Sequence, residues 1–216
     1  MVKNLGDKNS ILNQYLSEIR DAEIQKDSLR FRKNFERAGE IFAYEISKQL
    51  EYETKEVLTP LGAADVPVLK NFPVLATILR AGLPLHQGLL NIFDRSENAF
   101  VTAYRYHHKD GSFDIRVEYA SSPDINDKVL VLTDPMLATG SSLMLAYKTL
   151  LEKGTPKHLH IVTIIASLQG VEYIKKNFSS ATTTLWVGAI DDELTAQSYI
   201  VPGLGDAGDL AYGQKA

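Results

Sequence analysis

Short apolar runs separated by helical segments dominate the chain from residue 74 onward. Four of these runs, Val74–Leu79, Val129–Thr133, 161–166 and 185–190, are rich in β-branched residues and apolar on both alternating faces. This pattern is typical of strands that are covered on both sides, as in a parallel sheet. The alternation of strands and helices predicts an α/β fold, a doubly wound parallel sheet with helices on both faces.

The N-terminal part of the chain shows helical periodicity. Asp27-Ser28 is a predicted N-cap for the longer of two helices. The apolar positions that recur at helix spacing are Leu12, Leu16, Ile19, Phe31, Phe35, Ala38, Phe42 and Ile46. Such stripes generally face a core, so we assign them no chemistry.

Two further strands are predicted between these helices and the sheet. Residues 52–61 and 66–69 have strand character and flank Gly62-Ala63-Ala64, which we expect to form the turn. We interpret residues 1–70 as an N-terminal helical extension and hood. Residues 71–216 then form the core with a C-terminal loop, and the whole chain is predicted to be a single domain.

A β-hairpin arm is predicted between the first two sheet strands. Residues 100–105 and 115–119 flank Lys109-Asp110-Gly111-Ser112, and the second run alternates apolar and charged residues. We expect this hairpin to project from the sheet. Neighbouring His107 and His108 would point to opposite faces of a strand, so exposed side chains are favoured over a shared metal site.

Composition and charge narrow the class of protein. The 216 residues carry a net charge of −4 and no cysteine, which excludes disulfides and thiolate chemistry. We expect no nucleic-acid partner, because a mildly acidic chain has no global attraction for polyanions. We expect no membrane partner, because no apolar run approaches the roughly 20 residues that span a bilayer. The N-terminus shows no apolar signal core, so a cytoplasmic location is predicted.

The most informative segment follows the apolar run Val129–Thr133. The run ends in an acid, Asp134, and a loop of small and hydroxyl residues then leads into a predicted helix. Ligands of open α/β sheets bind beyond the carboxyl ends of strands, and a helix N-terminus offers free N–H groups to anions. The segment therefore has the properties of a phosphate cradle, with Asp134 placed to accept hydrogen bonds from sugar hydroxyls. A generic turn that uses Asp, Ser and Thr as caps is the alternative.

Two other segments carry candidate chemistry. Arg80 follows another apolar run that is predicted to be a buried strand. An arginine at this place can bind a diphosphate through two hydrogen bonds. The alternative is an arginine that only faces solvent. Gly203 to Gly208 match G-x-G-x-x-G, but a dinucleotide fingerprint needs a helix and a strand after it, and only eight residues (216 − 208) follow Gly208. We therefore predict an irregular loop, whose backbone groups can read a small flat base.

Taken together, these segments resemble the uracil branch of the type I phosphoribosyltransferase family. Asp134-Pro135-Met136-Leu137-Ala138-Thr139-Gly140 resembles its signature for 5-phosphoribosyl 1-diphosphate (PRPP), and Leu79-Arg80-Ala81-Gly82 resembles its pyrophosphate loop. Tyr104-Arg105 matches a mobile loop that covers the pyrophosphate, and Pro202-Gly203-Leu204-Gly205-Asp206-Ala207-Gly208-Asp209 resembles its uracil-binding motif.

The sequence departs from the family pattern at three places. Thr133 stands where many relatives have a second acid, which is typical of the uracil branch. Ser141 replaces a glycine, which leaves the cradle intact unless that position requires a positive φ. Residues 106–110 differ from the usual loop, so Lys109 is given no role.

The resemblance implies transfer of phosphoribose from PRPP to uracil, giving UMP and diphosphate. It implies catalytic roles for Arg80, Arg105, Asp134 and Asp206. The residues implied to bind PRPP are Arg80, Arg105, Asp134, Pro135, Met136, Leu137, Ala138, Thr139, Gly140, Ser141, Ser142 and Asp206. The residues implied to contact uracil are Ile200, Gly205, Asp206 and Ala207.

The resemblance also implies Mg²⁺ as cofactor, held chiefly by PRPP oxygens with Asp206 as an additional ligand. A homodimer or higher homo-oligomer is expected, with the predicted hairpin arm as its contact. A phosphoribosyltransferase for another base, an RNA-binding regulator of the same fold and a degenerate enzyme that only binds ligand are the alternatives.

Overall fold

The computed structural model describes residues 1–107 and 113–214, and of residues 103–107 and 113–116 the backbone only. Of the helices in this described part, none has the length and apolar character needed to cross a bilayer. The strands are β1 Val2–Asn4, β2 Tyr52–Thr59, β3 Gly62–Leu69, β4 Val74–Leu79, β5 Asn98–His107, β6 Phe113–Ser121, β7 Val129–Thr133, β8 Met136–Leu137, β9 His158–Ser167, β10 Thr183–Asp191, β11 Glu193–Leu194 and β12 Ile200–Val201. The α-helices are α1 Ile11–Arg20, α2 Ser28–Ser47, α3 Leu83–Ile92, α4 Ser141–Leu150, α5 Leu168–Asn177 and α6 Ala207–Tyr212.

The main sheet confirms the predicted α/β fold. Its strand order is β1-β10-β9-β7-β4-β5-β6, with the short β8 also paired to β9. All of these pairs are parallel except β5 with β6. The four apolar runs predicted as strands are β4, β7, β9 and β10, and the bounds of β4 and β7 agree to the residue.

Helices cover both faces of the sheet, as predicted. On one face, the aromatic side chains of α2 pack with α1, α3 and Trp186 of β10 in a continuous apolar core. On the other face, α4 and α5 cover β4, β7, β9 and β10 in a second core. Asp27 is the N-cap of α2, since its side chain accepts hydrogen bonds from the N–H groups of Leu29 and Arg30.

Besides the short antiparallel pair β11–β12, the described part of the chain contains two longer hairpins, which differ in position. The predicted hairpin, β5–β6, forms the edge of the main sheet because β5 also pairs with β4. A second hairpin, β2–β3, is a separate two-stranded sheet with mostly exposed side chains. It is therefore β2–β3 that lies outside the main sheet, with Leu58 and Leu61 at 83% and 100% exposure.

The turn predicted at Gly62-Ala63-Ala64 is wrong. These three residues pair with residues 57–59 in the β2–β3 ladder, so the turn lies at Pro60-Leu61. The physical reason is that Pro60 presets the φ angle that a β-turn needs at its second position. The Thr59 hydroxyl completes the turn by donating to the Gly62 carbonyl at 2.9 Å.

Candidate active site

One cavity opens at the carboxyl ends of β4 and β7, where the C-terminal segment folds back over the sheet. Its lining comes from three parts of the chain: the start of the segment after β4, the loop after β7, and residues 198–208. The predicted site residues that line it are Asp134, Met136, Leu137, Ala138, Thr139, Gly140, Ser142, Ile200, Gly205, Asp206 and Ala207. Arg80, Pro135 and Ser141 lie beside residues of this lining without belonging to it.

The loop between β7 and α4 exposes the N-terminus of a helix to the cavity. Gly140 is the N-cap of α4, has a φ of +83°, and contributes no capping side chain. A Cβ at this position would lie 2.6 Å from Cδ1 of Tyr173, so both backbone and packing require glycine. Ser141 is already the first helical residue and needs no positive φ, so its replacement of the usual glycine leaves the loop intact.

The strand–helix junction of β9 and α5 supports this loop from below. Ser167 Oγ donates to the Ala138 carbonyl at 2.6 Å and accepts from the Gly170 N–H at 2.9 Å. Thr163 Oγ1 accepts from the Leu137 N–H at 3.2 Å. The hydrogen bonds of this buried support come from β9, 26 to 29 residues away in sequence. No local pattern in the sequence indicates these hydrogen bonds.

Asp134 lies at the end of β7 with its carboxylate facing the cavity. Burial raises its pKa to about 7, and a hydrogen bond from the Met136 N–H at 3.3 Å opposes the rise only partly. A carboxylate in this position has oxygens free to accept hydrogen bonds from hydroxyl groups of a ligand.

Arg80 follows β4 and reaches toward the C-terminal segment. Its Nη2 donates to Oδ1 of Asp209 at 3.0 Å, and its Nε is buried with no hydrogen-bond partner among the described residues. Sequence reasoning missed Asp209 as part of the site. The available signal was the second acid of the Gly205-Asp206-Ala207-Gly208-Asp209 string.

Asp206 lines the cavity and caps a helix at the same time. Its Oδ1 accepts from the N–H groups of Gly208 and Asp209 at 2.9 and 3.0 Å, which makes it the N-cap of α6. The irregular loop predicted over Gly203 to Gly208 is therefore only partly present, because α6 begins at Ala207. Gly203 and Gly205, with φ of +58° and +91°, belong to the irregular part.

Ile200 is buried in β12, which pairs with β11 beside the cavity. The two residues before it, Ser198 and Tyr199, also line the cavity and were not predicted as site residues. Ser198 has a φ of +62°, an uncommon conformation for a residue with a side chain. The sequence does not indicate this positive φ, because a serine in a polar loop usually has a negative φ.

The predicted arginine of the hairpin lies in a part described only by its backbone. Arg105 is in β5, opposite Ile115 of β6, and its side chain is outside the described residues. Its predicted contact with a ligand stays a prediction. The side chain of His107 and the whole of His108 and Lys109 are also outside the described part.

His158 and His160 lie in strand β9 of the main sheet. The His160 ring is buried, and its Nδ1 accepts from the indole N–H of Trp186 at 3.1 Å. The His158 ring packs against it at a tilt of 49° and forms a hydrogen bond with the Thr184 hydroxyl. Across the described ranges, no three acidic or histidine side chains come together as a metal-binding group.

Comparisons with known proteins agree with this architecture. A family model described as "Uracil phosphoribosyltransferase" matches residues 7–214. A protein of Porphyromonas gingivalis named uracil phosphoribosyltransferase is 58% identical, with 99% of both chains covered. One of the same name from Pyrococcus furiosus is 36% identical over 93% of this chain and 85% of its own. A solved structure of an Aquifex aeolicus protein superposes with a TM-score of 0.86 at 29% identity, covering 99% of this chain and 98% of that one.

Proposed function

The chain belongs to the uracil phosphoribosyltransferase family, and from that premise we propose which residues of its cavity carry out the transfer. The reaction joins N1 of uracil to the anomeric carbon of PRPP and releases diphosphate, giving UMP. The observation that carries the proposal is the convergence of three segments on one cavity: the end of β4, the loop after β7 and residues 198–208.

PRPP is proposed to bind along the carboxyl edge of the sheet. The N-terminus of α4 and the hydroxyls of Thr139, Ser141 and Ser142 receive the 5′-phosphate, because free N–H groups and the helix dipole favour an anion there. Asp134 accepts hydrogen bonds from the 2′- and 3′-hydroxyls of the ribose. Met136, Leu137 and Ala138 form the wall between these two sites, and Pro135 lies directly beside it.

The diphosphate is proposed to lie against Arg80 and Arg105. A diphosphate oxygen would satisfy the buried Nε of Arg80, which has no partner among the residues described. Guanidinium groups stabilise the charge that develops on the leaving diphosphate as the C–O bond breaks. The ribose carbon acquires positive character in the same step, and the enzyme's contribution is positioning and electrostatic stabilisation.

Uracil is proposed to bind against Ile200, Gly205, Asp206 and Ala207. The base carries two carbonyl and two N–H groups, so backbone groups of the loop can read it without a charged side chain. Gly205, with its positive φ and no heavy atom closer than 3.8 Å to an added Cβ, leaves room for close approach of a flat ring. This arrangement presents N1 of the base toward the anomeric carbon.

Magnesium is proposed to enter with PRPP. The donor set fits this assignment, because the Asp206 carboxylate lines the cavity while the diphosphate itself supplies hard oxygen ligands. Bound Mg²⁺ neutralises charge on the leaving diphosphate. Asp206 keeps one carboxylate oxygen outside its cap hydrogen bonds and can take part in holding the ion.

The proposal extends to assembly, location and domain organisation. We propose a cytoplasmic enzyme that acts as a homodimer or higher homo-oligomer, with residues 1–216 as one domain. The exposed apolar side chains of β2–β3, Leu58 and Leu61 among them, support a contact between copies. Light scattering on the wild type and on a Leu58→Asp, Leu61→Asp double variant tests it: a smaller mass for the variant supports it, and a monomeric wild type contradicts it.

The activity is tested with purified protein, PRPP and Mg²⁺, and a panel of nucleobases. Diphosphate release with uracil, and at least about a hundredfold less with hypoxanthine or adenine, is the expected result, because a site built for one set of hydrogen bonds leaves them unmade with another base. Release with a purine base at a rate equal to that with uracil would reject the substrate assignment.

A further inference from the structure

The backbone of Gly203 is held on both sides by one buried ion pair that lies outside the cavity. The Asp191 carboxylate, at the end of β10, accepts from the Gly203 N–H at 2.8 Å. Arg20, the last residue of α1, donates from Nη1 to the Gly203 carbonyl at 3.0 Å. The same two side chains bind each other through two hydrogen bonds of 2.8 and 2.7 Å. We call these two side chains the Gly203 clamp.

The clamp acts at the tightest point of the C-terminal loop. Gly203 is buried with a φ of +58°, and a Cβ on it would lie 2.1 Å from the carbonyl oxygen of Ile200. The Gly203 backbone therefore packs directly against the Ile200 carbonyl, and a side chain at Gly203 would displace it. Ile200 precedes Gly203 by three residues and Gly205 follows it by two, and both line the cavity.

The clamp is stabilised by charge as well as by geometry. Asp191 is 6% exposed, and the Arg20 side chain is 25% exposed. Burial by itself would raise the pKa of Asp191, but the hydrogen bonds from Arg20 and from the Gly203 N–H outweigh it and hold that pKa below its usual value. Paired hydrogen bonds between a guanidinium and a carboxylate are strong and directional, so the loop backbone is bound to a rigid support.

Each end of the C-terminal loop then has a separate anchor. The clamp fixes Gly203, whereas the Asp206 cap and the Arg80–Asp209 ion pair fix the start of α6. Within the described part of the chain, the hydrogen bonds of the clamp join Arg20, Asp191 and Gly203 and include none to the β7–α4 loop that is proposed to receive the phosphate. Its effect on ligand binding should consequently be confined to the part of the cavity formed by residues 200–207.

Resting on the proposed function of the cavity, we propose that Arg20 and Asp191 are positioning residues for uracil. They hold the Gly203 backbone so that Ile200 and Gly205 present their peptide groups to the base. Neither side chain lines the cavity, so they act through the loop and do not touch the substrate. The N-terminal extension thereby takes part in base recognition, although none of the family motifs lies in it.

The test is a comparison of steady-state KM values for the two substrates. Asp191→Asn keeps the shape of the side chain and removes its charge, which leaves the Arg20 guanidinium without its counter-charge. We expect KM for uracil to rise about tenfold or more, because a charge-assisted bond to a buried group is lost. KM for PRPP should change by less than about twofold, since the phosphate side of the cavity is untouched.

Glu18→Gln is the matched control. Glu18 also joins α1 to a neighbouring element through an arginine, Arg30, and is similarly buried, but it has no contact with the loop. This variant should lower the melting temperature and leave both KM values as in the wild type. A loss of uracil affinity in Glu18→Gln equal to that in Asp191→Asn would show a general effect of loosening α1, and would overturn the proposal.

Arg20→Lys tests the role of the Gly203 clamp if the Asp191→Asn variant does not fold. Lysine keeps the charge but cannot donate to Asp191 and to Gly203 in the same geometry, so KM for uracil should rise while KM for PRPP stays constant. Equal changes in both KM values, or no change in either, would overturn the clamp. The wild type is assayed in parallel, and failure of the wild type to form UMP would instead reject the proposed function itself.

Discussion

Arg80 and Asp209 form an ion pair across the edge of the cavity, with Nη2 of the arginine 3.0 Å from Oδ1 of the aspartate. The two side chains are 38% and 34% exposed, so the pair contributes only about 0–1 kcal/mol to stability. Breaking this ion pair so that Arg80 can turn toward a ligand therefore costs little free energy. Its buried Nε, which has no partner in the described part of the chain, is the donor that a ligand oxygen would satisfy.

Arg80→Ala should separate activity from stability. We expect kcat/KM for PRPP to fall by about 10²–10³-fold, because a donor to the leaving diphosphate is lost. The free energy of unfolding should fall by no more than about 1 kcal/mol. Diphosphate-release kinetics and urea denaturation measure the two effects.

Arg30→Ala is the control for this prediction. Arg30 is 49% exposed and also paired with a carboxylate, that of Glu18, but it lies away from the cavity. Its removal should leave kcat/KM unchanged. Equal kinetics for Arg80→Ala and Arg30→Ala would refute the role of Arg80.

Asp134→Asn should make the protein more stable and less active. The pKa of Asp134 is raised from 3.8 to about 7, so the folded protein holds a proton there that the unfolded chain releases between these two pH values. The native carboxyl group therefore costs increasing stability as the pH rises from about 4 to about 7, and a constant amount above that. Asparagine removes this cost, which is about 2 kcal/mol at pH 8 after allowance for partial exposure.

The two properties are measured separately for this variant. Urea denaturation at pH 4, 6 and 8 should show a difference from the wild type that grows with pH. PRPP titration should show weaker binding, because the amide replaces one hydroxyl-binding carboxylate oxygen by a donor. A pH-independent stability difference would contradict the raised pKa, and unaltered PRPP kinetics would contradict the ribose assignment.

Gly140→Ala should weaken phosphate binding, and the backbone strain that the substitution introduces does not by itself account for this loss. An added Cβ would lie 2.6 Å from the Tyr173 ring, so the loop must shift away from its position at the start of α4. We expect KM for PRPP to rise at least about tenfold, since small displacements of binding groups are costly. Gly213→Ala is the control, because Gly213 has nearly the same φ, +84°, but no heavy atom within 4 Å of an added Cβ.

The control separates strain from displacement. Both variants place an alanine at a positive φ, which costs on the order of 1–3 kcal/mol. Only Gly140→Ala moves the phosphate loop, so Gly213→Ala should keep the wild-type KM for PRPP. If both substitutions leave that KM unchanged, the loop after β7 is not the phosphate site.

Arg105→Ala should lower turnover at least about tenfold without unfolding the protein. The backbone of Arg105 lies in β5, which pairs with β4, and Arg80 directly follows β4. Stopped-flow measurement of diphosphate release gives the turnover, and circular dichroism reports the fold. Arg95→Ala, whose guanidinium lies over Phe72 outside the cavity, should behave as the wild type.

Individual strands and helix starts could be predicted from the sequence because the residues that determine them are close together in the chain. The apolar runs of β4 and β7 are bounded by polar or small residues, and the Asp27 cap sits directly before an amphipathic helix. The turn of β2–β3 was misplaced because Gly62 is a strong turn signal and the preset φ of Pro60 outweighed it.

The parts that escaped prediction depend on distant partners. Arg20 and Asp191 are 171 residues apart, and Arg80 and Asp209 are 129 apart, so the sequence does not indicate that the members of either pair meet. The site motifs were recognised as strings, but the side chains that orient them come from α1, β9, β10 and α6. Such contacts follow from the way the chain folds back on itself, which no local pattern encodes.

The most direct test of the whole account is a crystal structure with UMP and Mg²⁺-diphosphate. We expect the 5′-phosphate of UMP within hydrogen-bond distance of the N–H groups at the start of α4, and the uracil ring against Ile200, Gly205 and Ala207. Diphosphate should contact Arg80. A phosphate bound away from the α4 N-terminus, or a base bound away from residues 200–207, would contradict the account.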